Sequence, residues 1–276
     1  MAKLNRLRAR FIQIQNIKKM TGVMEMIANA KIPKIKRHFQ LAQEYFENLE
    51  YIFANVLENL ETKVDEFVQT NSSKKLFVVF SSNLGFCGGL NNLVLKKMLS
   101  EFKQGDEIIV FGKKAYNFFI QKHEKEIIQS YLGIEETNFS EPILKVANFI
   151  HQSILDKKFA KILICYNKFV NIIHSKPEIH NLLDFPKSIV KHEGFGVEFE
   201  PNSTAVFQKL LPFYIKAILE KFFIEAKLVE TSARRASMES ATENALEIIQ
   251  KLEIEINSSR QAMITQEIIE IISGKM

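Results

Sequence analysis

Few residues in this chain are placed to do chemistry. Gly85-Phe86-Cys87-Gly88-Gly89 follows an apolar run and precedes a stretch with helical periodicity. A glycine-rich turn of that kind can offer backbone N–H groups to a phosphate at a helix N-terminus. This one matches neither GxGxxG nor GxxxxGK followed by Ser or Thr, and no acidic ribose partner follows it. Its pattern is that of a tight strand-to-helix turn made of small residues, with nucleotide binding as the alternative. Cys87 could act as a nucleophile only beside a base. None of the six histidines falls in a pairing motif, so Cys87 reads as a small buried thiol. His174 and His180, six apart, lack a ligand spacing. The glutamates near the C-terminus occur singly, which is the pattern of a solvated face. Arg6, Arg8, Arg10, Lys18 and Lys19 form a basic stretch without interleaved aromatics, and Arg234-Arg235 is similar. Such bases suit an acidic protein surface better than nucleic acid or a membrane. No catalytic, cofactor or metal site assembles from these residues.

Composition narrows the class. The chain has 276 residues, 46% of them hydrophobic, 25% charged, and a net charge of +5. That is enough apolar material for a core, and any basic patch must be local. Cys87 and Cys165 lie in separate segments and form no CxxC pair, which argues against a disulfide framework or a zinc site. No apolar run approaches a membrane span in length. The basic, amphipathic N-terminus imitates an organellar presequence, but it is poor in serine and continues unbroken into the body of the chain.

The elements that must position these residues are two long helices and a domain between them. Residues 204 to 272 hold no proline from Phe213 onward and no glycine before Gly274. Ala245, Ile249, Leu252, Ile256 and Met263 make a narrow apolar seam, with Ser259 filling the gap. Sixty such residues at about 1.5 Å each reach ~90 Å, far beyond the width of an ordinary domain. Residues 3 to 60 also read as helix. One stripe runs Leu4, Leu7, Phe11, Ile14, Ile17, Met20, Met24, Ile27; a second runs Leu41, Tyr45, Leu49, Ile52, Val56, Leu60. Pro33 predicts a kink or short break near Lys31. The first 37 residues carry ten bases against Glu25, whereas residues 239 to 270 carry seven glutamates against two bases, so the helices suit each other as antiparallel partners. Between them, strands are expected at Lys75–Ser81, Glu107–Gly112, Ile127–Leu132, Ala160–Tyr166, Val170–His174 and Gly194–Phe199. Helices are expected at Asn91–Phe102, through Phe119, and at Glu141–Asp156. Asn202 or Ser203 reads as the N-cap of the last helix. The fold class is α/β: a long antiparallel coiled coil (residues 1–62 and 203–276) plus a Rossmann-like domain with a mostly parallel sheet (residues 74–202).

Several blocks carry a resemblance. Asn257 to Glu267, NSSRQAMITQE, followed by IIEIISG, closely resembles the C-terminal signature of the gamma subunit of F-type ATP synthases. IKKMTGVMEMIANAK (17–31), SSNLGFCGGLN (81–91), Tyr166-Asn167-Lys168-Phe169 with Asn171, FEPN (199–202) and SMESATENA (237–245) follow in that family's order. The resemblance implies a non-catalytic central rotor shaft with no cofactor. It implies a ring of three alpha and three beta subunits around the coiled coil, with catalytic sites on beta. It places the foot domain beside an epsilon subunit and on a membrane rotor ring, at the cytoplasmic face of a bacterial cell membrane, with no direct membrane insertion. By match to the signature, Arg260, Gln261, Thr265 and Glu267 would contact the ring, as would Met24 and Glu25 of the first helix. Ile268 to Ile272 would sit in an apolar bearing, and the foot-domain turn comprises Gly85, Cys87, Gly88, Gly89 and Asn91. Asn83-Leu84 stands where the family has Asp-Arg, Gly22 replaces a basic residue, and Lys275-Met276 replaces small apolar residues. The alternatives are a related rotary ATPase driving other mechanical work, a small nucleotide-binding enzyme, and a coiled-coil scaffold. The shaft reading requires Ile264, Ile268 and Ile272 to stay unburied by their own chain.

Overall fold

The structure, a computed structural model, describes residues 2–60, 70, 72–172, 174–185 and 199–274. Helix α1 spans Ala2–Glu58. The strands and helices that follow are β1 (Lys75–Phe80), α2 (Leu90–Leu99), β2 (Glu107–Phe111), α3 (Lys113–Phe119), β3 (Ile127–Tyr131), α4 (Ser140–Leu155), β4 (Lys161–Phe169), β5 (Ser175–Asn181) and α5 (Ser203–Ser273). The chain forms two compact units, residues 1–30 with 234–276 and residues 31–233.

In the second unit the sheet order is β3-β2-β1-β4-β5. The first four strands are parallel and β5 runs antiparallel to β4 at one edge. Successive residues of a strand alternate between two cores, as the pleat requires. Leu76, Val78 and Phe80 of β1 join Ile162, Ile164 and Tyr166 of β4 on one face, which is packed by α4 and by aromatic residues of α1 and α5. Phe77 and Val79 join Leu163 and Cys165 on the other face, packed by α2 and α3. With both faces covered, β1 and β2 are almost wholly apolar and KLFVVF shows no alternation. Phe53 stacks on Tyr214 with ring centroids 4.3 Å apart, and Tyr166 stacks on Phe222 at 4.2 Å. These pairs tie the helices of this unit to each other and to the sheet.

Three expectations are corrected. The break near Lys31 is absent: α1 continues through Pro33. Pro33 and Asn29 both lie on the exposed side of the helix, so water can satisfy the Asn29 carbonyl that proline leaves without a partner. Val170–His174 is not a strand. The Val170 and Asn171 amides both donate to the His174 carbonyl (3.2 and 3.0 Å), which closes a turn between β4 and β5. The two stripes of α1 drift out of phase with the buried side. Positions 4, 7, 11, 14, 18, 21, 25, 28, 32, 35, 39, 42, 46, 49, 53 and 56 are all buried or half-buried, an unbroken heptad alternation. Ile17, Met20, Ile27, Leu41, Tyr45 and Ile52 are instead exposed. Adjacent apolar pairs such as Tyr45-Phe46 and Ile52-Phe53 offered two equivalent stripes, and the one carrying the phenylalanines is buried. The expected strand Gly194–Phe199 falls almost entirely outside the described residues, as does the departure at Lys275-Met276. The N-cap resolves to Asn202, whose Oδ1 accepts the Ala205 amide at 2.8 Å.

Candidate functional site

In the unit made by residues 1–30 and 234–276, the seam of α5 is real. Met238, Ala245, Ile249 and Leu252 are buried, and Leu4 and Ala28 of α1 are buried with them. One polar clip interrupts the apolar contact: the Thr242 hydroxyl donates to Thr21 at 2.7 Å, and Thr21 donates to the Lys18 carbonyl at 3.1 Å. A fully apolar seam tolerates slippage. A satisfied hydroxyl pair fixes which turn faces which.

Burial then fades along α5. Ile256, Ser259 and Met263 are half-buried, and Ser259 and Met263 line a groove of about 520 Å³ together with Leu4 and Leu7. Beyond Met263 every described residue is exposed. Ile264, Ile268 and Ile272 are 49%, 51% and 66% exposed, so their own chain does not bury them. At about 100° per residue, Ile268 and Ile272 fall on the side of the helix opposite Leu252 and Met263, and Ile264 and Ile271 lie about a quarter-turn from that seam. The apolar surface therefore leaves the seam and spreads around the helix at the tip. Gly274 closes the helix, its amide donating to the Glu270 carbonyl at 2.9 Å.

Arg260, Gln261, Thr265 and Glu267 are all exposed, on the same stretch. Thr265 also donates to the Gln261 carbonyl at 2.9 Å. Met24 and Glu25 are half-buried in the first helix. Sequence reading missed a group beside them: Met20, Val23, Met26 and Ile27 are 53–71% exposed on one side of α1. The signal was present as a second three-and-four spacing, which merged with the seam.

In the other unit, the 81–91 turn is held from within. Asn91 accepts the Ser82 amide (3.0 Å) through Oδ1, and its Nδ2 donates to Ser82 Oγ (2.8 Å) and Cys87 Sγ (3.3 Å). Cys87 is 2% exposed, as expected of an inert thiol. Burial pushes the pKa of the Cys165 thiol far up. Gly88 has φ of 60°, and Phe86 adopts φ of 61° with its ring largely exposed beside an equally exposed Leu84. Gly85 and Gly89 meet no backbone that would exclude a side chain. The glycine that closeness does require is Gly112, where a Cβ would stand 2.2 Å from the Ser81 carbonyl oxygen. Asn83, one of the departures, has a local role. Its Oδ1 accepts the Gly133 amide and its Nδ2 donates to the Ile134 carbonyl, both at 3.0 Å. The cavity behind the turn is about 10 Å³, too small for a phosphate.

His174 is exposed. His180 is half-buried against Phe222, and that burial lowers its pKa. Among the described residues no cluster could hold a metal ion, and no helix is long and apolar enough to cross a membrane.

Comparison with known proteins agrees with this geometry. The family model described as ATP synthase matches residues 3–276. An ATP synthase gamma chain from Mycoplasmopsis pulmonis is 33% identical, over 100% of both chains. One from Clostridium botulinum is 27% identical over 97% of this chain and 95% of its own. Among solved structures, a chain of the Euglena gracilis mitochondrial ATP synthase (OSCP/F1/c-ring, rotational state 3) matches with a TM-score of 0.74. It covers 99% of this chain and 94% of its own at 18% identity, which is a likeness of fold. With the family model spanning nearly every residue and a full-length relative at one third identity, the chain belongs to the ATP synthase gamma-chain family.

Proposed function

We propose that the chain is the central rotor of an F-type ATP synthase and is itself non-catalytic. The observation that carries this is the tip of α5. A helix that runs to Ser273 while its last apolar residues stand exposed is built to be covered by other chains. Three alpha and three beta subunits would form that cover, with the catalytic sites on beta. Arg260, Gln261, Thr265 and Glu267 would meet the ring together with Met24, Glu25 and the exposed group around Val23. Ile268 and Ile272 would turn in an apolar bearing, which makes few directional bonds that would hold one angle. Residues 1–62 and 203–276 would form the shaft and residues 74–202 the foot, beside an epsilon subunit and a membrane rotor ring. The complex would lie at the cytoplasmic face of the cell membrane. Rotor angle and the three nucleotide affinities would then be reciprocally coupled.

A tagged copy of the chain, purified from its own cells under native conditions, tests this. Alpha and beta subunits are expected to co-purify with ATPase activity. A chain that purifies without any ATPase subunit would contradict the reading.

A further inference from the structure

We propose that the chain holds one water molecule in a closed site where β1, α2, β4 and α5 meet. The site rests on a buried polar atom and a matching space. Asn167 is 3% exposed, and its Oδ1 has no hydrogen-bond partner in the protein. Its Nδ2 donates to the Leu90 carbonyl at 3.5 Å. Flipping the amide would set Oδ1 against that carbonyl, lone pair to lone pair, so the orientation with Nδ2 toward Leu90 is the satisfiable one. Asn167 lines the cavity of about 10 Å³ together with Ser82, Asn91, Phe223, Lys227 and Glu230.

The lining selects the occupant. Lys227 and Glu230 form a buried ion pair at 3.2 Å, with side chains only 7% and 9% exposed. A cation in the cavity would meet the Lys227 ammonium, and an anion would meet the Glu230 carboxylate. An organic ligand does not fit. Water is neutral, has room, and both donates and accepts. It satisfies Asn167 Oδ1 with one proton, can give the other to Glu230, and can accept from Lys227. That is the number of bonds an ordered internal water ordinarily makes. The water would add a polar link between the end of β4 and α5 to the bond that Glu225 accepts from the Phe169 amide, among apolar residues such as Phe223 and Val229. Asn167 is thus a positioning residue for the helix on the sheet, and the site does not depend on the rotor reading.

The test is a structure of the full chain, alone or in its complex, at a resolution that shows buried waters. The expected result is density for one water about 3 Å from Asn167 Oδ1. An empty cavity, or Lys227 Nζ bonded directly to Asn167 Oδ1, overturns the proposal. Asn167→Leu gives a second readout that needs no density. Losing the Leu90 bond and the water bond together raises the unfolding equilibrium constant by well over the roughly fivefold of one lost hydrogen bond, whereas losing the Leu90 bond beside a truly unsatisfied oxygen raises it by roughly fivefold or less. A rise of roughly fivefold or less in Asn167→Leu also overturns the proposal.

Discussion

At the scale of single residues, two side chains carry testable consequences. Asn83 both accepts from Gly133 and donates to Ile134, so an aspartate can reproduce only the first bond. Asn83→Asp is expected to cost about 1 kcal/mol in denaturant unfolding and to speed amide exchange at Gly133 and its neighbours. Equal stability of the two forms would remove the bridging role assigned to it. Glu225 is 4% exposed and accepts the Phe169 amide at 2.9 Å. Burial raises its pKa above 4.5, a shift that Phe169, Lys221 and Lys168 oppose without reversing. A folded pKa above the unfolded one means a stabilising contribution complete below pH 4.5 and lost as pH rises through the folded value. Glutamine keeps the acceptor and removes the charge. Glu225→Gln should therefore gain stability relative to the parent as pH climbs from about 4 to about 8. A pH-independent difference in thermal midpoint would contradict the assignment. Asn83 stood out in the sequence only as a departure from a family pattern. Its role depends on a loop some fifty residues away, which spacing does not reveal.

At the scale of elements, the strands of the parallel core were legible because each is a short apolar run between turn residues. The helices were legible in extent but not in face. Where apolar residues sit side by side, as at Ile52-Phe53, periodicity admits two stripes, and only packing decides between them. Pro33 misled for a related reason: its cost depends on whether the freed carbonyl meets water, and exposure is not written in local sequence. The seam of α5 was read correctly because its intervening positions are mostly polar. Two predictions belong here. A Cβ at Gly22 would meet nothing within 4 Å, so Gly22→Ala should stabilise α1 by about 1 kcal/mol through helix propensity. An unchanged or lower unfolding midpoint would mean that the backbone at Gly22 is not regular helix. At the tip, Ile268 and Ile272 are exposed, so replacing both by serine should change the stability of the isolated chain by no more than about 0.5 kcal/mol. The same double variant should weaken recovery of alpha and beta subunits in the co-purification. Loss of stability in the isolated chain would show that the tip is buried by its own protein.

At the scale of the whole molecule, two long helices return to each other after nearly 150 intervening residues. The helices that flank the sheet are tied into its core by Phe53, Tyr214 and Phe222, a rigid joint of stacked rings. The decisive question is whether the chain turns. The purified complex can be fixed to a surface through its beta subunits, with a probe attached to the foot domain, and observed during ATP hydrolysis. A rotor gives unidirectional rotation of the probe, pausing at three angles, that stops when the chain is cross-linked to beta. A complex that hydrolyses ATP with the probe stationary, or at an undiminished rate after that cross-link, would contradict it.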